Sequence, residues 1–285
     1  MCQVSIITVN YNDKIGLERT IKSVQEQTSS DYEHIIIDGN SNDGSKDIIT
    51  EHQNNFSYWI SEPDTGIYEA MNKGIDVSNG KYLLFLNSGD ALFKPDVLKT
   101  VEINLKNNFD IVFGDLWVYR IDKTGFKHSY AQDVSTTVLK RIGLGHPSTF
   151  IKTKIFQKYG KYRTDLKIVS DWEFFIKVIL REKVSCFKID EIISVFYEGG
   201  ISSSPDFSDL HLEERKKVFI ENFDIYDQDF EKIYAHYNKI NALLSSLHPD
   251  IDILITNNKS LRILNKTIGF YAFFLKKKRQ WWRKK

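Results

Sequence analysis

Hydrophobic positions along the first hundred residues alternate between two periods. Val4–Val9 is a short continuous apolar run, the pattern of a strand buried on both faces, and Leu17, Ile21 and Val24 then recur at i, i+4 and i+7 on one face of a helix. A second strand follows at His34–Asp38. Asn42-Asp43-Gly44-Ser45 supplies turn and cap chemistry ahead of a helix carrying Ile48 and Ile49. Tyr58–Ile60 predicts a third strand, Ile67–Val77 a helix, Tyr82–Leu86 a fourth strand, and Pro95–Leu105 a helix with proline in its first turn. This βαβα series predicts a mostly parallel central sheet flanked by helices, an α/β fold.

In sheets of that kind ligands bind beyond the carboxyl ends of the strands. The polar residues placed there are Asn10-Tyr11-Asn12-Asp13, Asp38-Gly39-Asn40-Ser41, Glu62-Pro63-Asp64 and Asn87-Ser88-Gly89-Asp90. Any one of them reads equally as a turn or helix cap; four at four strand ends point to a site. Asp90 emerges from a very apolar strand, where a carboxylate can share a hard divalent cation with a diphosphate.

Past Asp110 the pattern turns to short strands, with a hairpin loop at Asp122–Gly125. Trp172, Phe175, Ile176 and Ile179 form another helical stripe, opened by Ser170-Asp171, and strands are predicted at Cys186–Ile189 and Ile192–Phe196. The Ser-rich stretch Ser202–Pro205 marks a boundary, giving one domain over 1–205 and a helical extension over 206–285.

The whole chain has 285 residues, 41% hydrophobic and 27% charged, which excludes disorder, collagen and a membrane bundle. A net charge of +1 conceals an asymmetry: residues 1–252 carry a balance of −9, whereas residues 253–285 hold ten Lys and Arg and no acid. The two cysteines, Cys2 and Cys186, offer neither a disulfide framework nor a zinc ribbon. With no basic leader before the first strand, the expectation is a cytoplasmic protein.

The runs VSIITVNYN (Val4–Asn12), IIIDGNSNDGS (Ile35–Ser45), SEPDTGIYEAMNKG (Ser61–Gly74) and FLNSGD (Phe85–Asp90) resemble, in order and spacing, the signature of family-two glycosyltransferases with the GT-A fold. The resemblance covers about residues 1–200 and is closest to bacterial enzymes that build surface polysaccharides. It implies that Thr8, Val9, Tyr11 and Asp38 contact the nucleoside of a sugar-nucleotide donor, with UDP the expected nucleotide. Asp64, Asn72 and Lys73 would continue the donor pocket, beside Asn87 and Ser88. Asp90 would be the metal ligand, for Mn2+ or Mg2+. The family's D-x-D is altered here: Asn87 and Gly89 replace its acids, and Asp90 remains.

By the same resemblance Asp171, in Ser170-Asp171-Trp172-Glu173, is the catalytic base of an inverting transfer. The chemistry agrees independently, since a sugar hydroxyl needs a positioned carboxylate to take its proton. His146 resembles a segment that contacts diphosphate, metal or acceptor, and reads equally as a hydrogen-bonded loop histidine. Trp172 is either a sugar-stacking ring or core. The implied acceptor is a hydroxyl of a lipid-linked saccharide.

The tail Lys276–Lys285 places seven basic residues and two tryptophans behind the apolar run Ile268–Leu275. That order favours an anionic membrane surface, contacted through residues 268–285, over a nucleic-acid arm. The expected location is therefore peripheral, on the inner face of the cell membrane. Two rivals remain: a sugar nucleotidyltransferase, disfavoured because the loop after the first strand is not glycine-rich and basic, and a membrane-surface scaffold that lost its metal.

Overall fold

The computed structural model describes residues 2–132, 134, 139, 143–200 and 207–222. The chain divides into two compact units, Met1–Glu221 and Asn222–Lys285. The second unit beyond Asn222, including the basic tail at 268–285, lies outside the described residues. The first unit extends past the Ser-rich stretch and takes in one more helix than the sequence boundary suggested.

Along the first unit the elements are β1 (Val4–Asn10), α1 (Lys14–Gln25), β2 (Tyr32–Asp38), α2 (Ser45–His52), β3 (Tyr58–Ser61), α3 (Ile67–Val77), β4 (Tyr82–Phe85), β5 (Ala91–Leu92) and α4 (Val97–Leu105). Then come β6 (Ile111–Tyr119), β7 (Gly125–His128), a 3-10 turn at His146–Ser148, β8 (Thr149–Lys152), α5 (Thr153–Tyr159), α6 (Ser170–Phe175), a π-helical stretch Ile176–Arg181, β9 (Cys186–Tyr197) and α7 (Ser208–Asn222). The sheet order is β3-β2-β1-β4-β8-β6-β9-β5, with β7 on β6.

The four N-terminal strands are parallel, as their apolar runs predict. Alternation explains why the runs are continuous. Val4 and Ile6 face one cluster, with Val97, Leu98 and Val101 of α4, while Ile7 and Val9 face another, with Tyr68, Met71 and Ile75 of α3. Burial on both faces covers even the polar positions of β1, Ser5, Thr8 and, at its end, Asn10. The second half of the sheet is mixed: β8 runs antiparallel to β4 and β6, and β9 is parallel to β6. The two strands expected at 186–189 and 192–196 are one strand, β9, whose register against β6 shifts between Phe113 and Leu116. Such an irregularity bends a strand without ending it.

Two devices set the helices that matter for the site. Gly74 lets α3 lie directly on β1, since a Cβ there would meet Ile7 Cγ2 at 2.4 Å. Under β4, Phe85, Phe156, Tyr162 and Phe174 pack ring on ring, with Phe156 and Phe174 stacked at 4.4 Å between centroids. Each such pair contributes about 0.5–1.5 kcal/mol beyond its buried area. The cluster fixes α5 and α6 beneath the strand that leads to Asp90.

Candidate active site

Parallel strands end on the same side, so the loops after β1, β2, β3 and β4 meet. Their framework is a knot around Asp38. Its carboxylate is fully buried and accepts from Asn10 Nδ2 (2.7 Å), the Ser41 amide (2.9 Å) and hydroxyl (2.6 Å), and the Ser61 hydroxyl (2.7 Å). Those donors come from the ends of β1, β2 and β3.

Around this knot the donor-side residues divide. Tyr11, 69% exposed, and Asp64 flank Gly39; a Cβ at Gly39 would lie 2.8 Å from Asp64 Oδ2 and 3.1 Å from the Tyr11 ring. The missing side chain at Gly39 thus lets these two approach each other at the rim. Burial pushes the Asp64 carboxyl up, against the Gly66 amide and Lys73. Lys73 spans Glu62 (2.8 Å) and Glu69 (3.4 Å) beside it. Ser88 is partly buried on the next loop, its amide bonded to the Val9 carbonyl.

Other expected residues are engaged by the protein itself. Thr8 shares the strand face of Val4 and Ile6, and its hydroxyl lies 3.0 Å from the Nε2 of buried His34, inside the core. Val9 packs in the opposite apolar cluster. Asp38 presents no free carboxylate, because four protein donors occupy it. Asn72 exchanges two hydrogen bonds with the Tyr162 backbone (2.8 and 3.1 Å), so both ends of its amide hold the 160s loop. Trp172 is core: its Nε1 donates to Leu139 O (2.7 Å), and the Arg215 guanidinium covers its ring.

The acceptor side is built on one histidine. His146 stands between two carboxylates, with Nδ1 3.2 Å from Asp171 Oδ2 and Nε2 3.9 Å from Asp90 Oδ2. Asn87 Nδ2 lies 3.1 Å from the same Nε2, while Nδ1 faces Asp171. Burial opposes the imidazolium, but the Asp171 hydrogen bond and the charges of Asp171 and Asp90 outweigh it and hold His146 above its ordinary pKa. Burial also acts against the Asp171 carboxylate, yet His146 and the Tyr68 hydroxyl (2.9 Å) bring it below the usual range. Asp171 is therefore ionised, partly exposed and tethered on two sides. Burial pushes Asp90 the other way, up to about 7.

Tyr68 escaped the sequence reading. It lies four residues before Asn72 on the same helix face, which is the signal that could have found it.

Among the described residues no group of three or more His, Cys, Asp or Glu is placed to hold a metal ion. What the loop offers a divalent ion is smaller: the buried Asp90 carboxylate, and Asn87 Oδ1, which is buried with no hydrogen-bond partner. An orphan carbonyl oxygen and a buried carboxyl on one loop are hard donors of the kind that fit an ion completed by phosphate oxygens and water. The loop holding them is braced from α1, where Thr20 Oγ1 donates to Asp90 O (2.6 Å) and Arg19 to Gly89 O (3.2 Å).

Residues 5–178 match the model of glycosyl transferase family 2, a span that contains every site residue named so far. The chain belongs to glycosyl transferase family 2. An uncharacterised glycosyltransferase of Mycobacterium tuberculosis is 34% identical over 182 residues, covering 62% of this chain and 69% of that protein. A PGL/p-HBAD biosynthesis glycosyltransferase of Mycobacterium bovis is 29% identical over 211 residues, 72% of this chain and 78% of the relative. Among solved structures, Staphylococcus aureus TarS 1-349 in complex with UDP-GlcNAc superposes with a TM-score of 0.62 at 16% identity, covering 80% of this chain and 69% of that one. The mannosyltransferase PcManGT of Pyrobaculum calidifontis, in complex with GDP-Man and Mn2+, gives 0.56 at 13% identity over 95% of this chain and 80% of the other. Another TarS 1-349 crystal structure is spanned over 60% of its length. These likenesses agree in fold, and the family-two, GT-A-like architecture implied by the motifs is the one observed.

Proposed function

We propose that this family member is an inverting glycosyltransferase of the hexosyltransferase type. It moves a sugar from a nucleoside-diphosphate donor, with UDP the favoured nucleotide, to a hydroxyl of a lipid-linked saccharide. One observation supports the reading above the others: His146 spans the gap between Asp171 and Asp90, so the carboxylate that opens α6 and the carboxylate that follows β4 stand on two sides of one imidazole.

In this reading Asp171 takes the proton of the attacking hydroxyl as the new bond forms. Tyr68 and His146 hold its carboxylate in place and keep it ionised. Tyr11, Asp64 and Ser88 line the donor, with Lys73 beside them and the nucleobase next to Tyr11. A divalent ion, Mn2+ or Mg2+, held by Asp90 and Asn87 Oδ1 with the donor phosphates, would offset charge on the departing diphosphate. A single displacement needs one base and no second facing carboxylate of the glycosidase kind. The finding of UDP, UDP-GlcNAc and Mn2+ in structural relatives supports the donor class and the ion.

The acceptor class is supported by the relative named for PGL/p-HBAD biosynthesis and by the basic, tryptophan-bearing tail. We place the protein at the cytoplasmic membrane surface on that tail. Among the described residues no helix is long and apolar enough to cross a membrane. A screen of nucleotide-sugars with manganese, read as free nucleoside diphosphate, tests the function. Release of pyrophosphate from a sugar phosphate and a nucleoside triphosphate would point to nucleotidyl transfer instead, and no turnover with any donor would favour a scaffold.

A further inference from the structure

We propose that Glu214, on α7 and outside the family-matched span, is a positioning residue for Asp171. The inference rests on the reading of Asp171 as the base. Glu214 is 7% exposed and its carboxylate accepts from three consecutive backbone amides, Lys167 (2.6 Å), Ile168 (2.9 Å) and Val169 (3.3 Å). These residues are the last before α6, whose second residue is Asp171. Val169 sits at the cap position and has no side-chain oxygen to satisfy the amides there. A carboxylate from a helix over forty residues away in sequence does so instead.

The contacts form a continuous chain. Glu214 fixes the Ile168 amide; the Ile168 carbonyl accepts from the Tyr68 hydroxyl at 2.6 Å; the same hydroxyl lies 2.9 Å from Asp171 Oδ1. A phenol has one proton to give. That proton is shared between the Ile168 carbonyl and Asp171 Oδ1, so the carbonyl sets where the hydroxyl stands and, through it, where the base is held. Freed from Glu214, the segment would let the carbonyl drift, and the hydroxyl that tethers Asp171 would drift with it. The rest of α7 reinforces the hold: Lys217 pairs with Asp165 at 2.7 Å, Glu221 with Arg163, and the Arg215 guanidinium lies 4.4 Å from the Trp172 ring centroid, next to Asp171. Displacement of a reacting group by about 1 Å is enough to cost on the order of a hundredfold in rate.

The test uses the full chain as wild type, Glu214→Ala, Glu214→Gln and Asp171→Asn, with hydrogen exchange at residues 167–171, melting temperature, and kcat and KM for the donor of highest turnover in the screen. In Glu214→Ala, exchange at 167–169 should rise at least tenfold and kcat fall at least tenfold, with donor KM within twofold. Glu214→Gln, which keeps an acceptor oxygen, should recover most of both. A Glu214→Ala protein that melts earlier but keeps wild-type kcat, or one whose exchange at 167–169 is unchanged, would overturn the proposal. Asp171→Asn separates the two readings. If it still turns over, the base assignment fails; if it is inactive while Glu214→Ala works normally, the positioning role alone fails.

Discussion

Acid should weaken this protein through His34, and the size of the effect follows from its surroundings. The ring is 2% exposed, sits edge-on to Phe56 at 5.4 Å, and has Thr8 Oγ1 within 3.0 Å. Burial pushes its pKa down to about 3 from 6.5. A depressed histidine stays neutral in the native state while the unfolded chain takes up a proton. The contribution is therefore complete above pH 6.5 and is lost as pH falls from there toward 3. Each pH unit inside that window costs up to about 1.4 kcal/mol, which gives about 2 kcal/mol between pH 7 and pH 5. His34→Gln retains a hydrogen-bonding partner for Thr8 and cannot titrate. Urea unfolding of both proteins at pH 7 and pH 5, followed by tryptophan fluorescence, isolates the term, because all other titrating groups are common to the pair. Wild type should lose about 2 kcal/mol more than the variant over that interval. Equal losses would refute a buried, neutral His34, and with it the placement of Thr8 in the core.

Asp171→Asn should lower turnover about a hundredfold to ten-thousandfold, the range of a lost general base, while calorimetry still detects the donor nucleotide. Asp90→Ala should remove the manganese-dependent part of nucleotide affinity; an unchanged titration with and without the ion would contradict its role. Gly39→Ala should weaken nucleotide binding with little change in melting temperature, because its Cβ crowds Asp64 and Tyr11 at the rim and leaves the core untouched. Deleting residues 276–285 should reduce sedimentation with anionic vesicles, most at low salt, whereas equal binding would dismiss the tail as an anchor.

The first half of the fold was legible because strands buried on both faces write themselves as largely apolar, β-branched or aromatic runs, and Val4–Val9 and Tyr82–Phe85 are such runs. The merging of two predicted strands into β9 was not, since a register shift depends on the partner strand. At the site, Asp171, His146 and Asp90 were found through motifs, and the structure brings them together. Thr8 lies in the core, where alternation alone puts it on the face of Val4 and Ile6. The hold of Asn72 on the 160s loop was not legible, because its partner is a backbone ninety residues distant. Glu214 meets its backbone partners from 46 residues away, through hydrogen bonds that leave no local pattern.

The Asp38 knot has an evolutionary corollary. One covered carboxylate ties three strand ends from within, and the loops beyond carry Tyr11 and Asp64 to the rim. Under the proposed function the fastening and the recognition surface are thus separate sets of side chains. Exchange at the tips can retune which nucleotide is accepted without loosening the frame, so a lineage could change donors by a few replacements while inheriting its architecture intact.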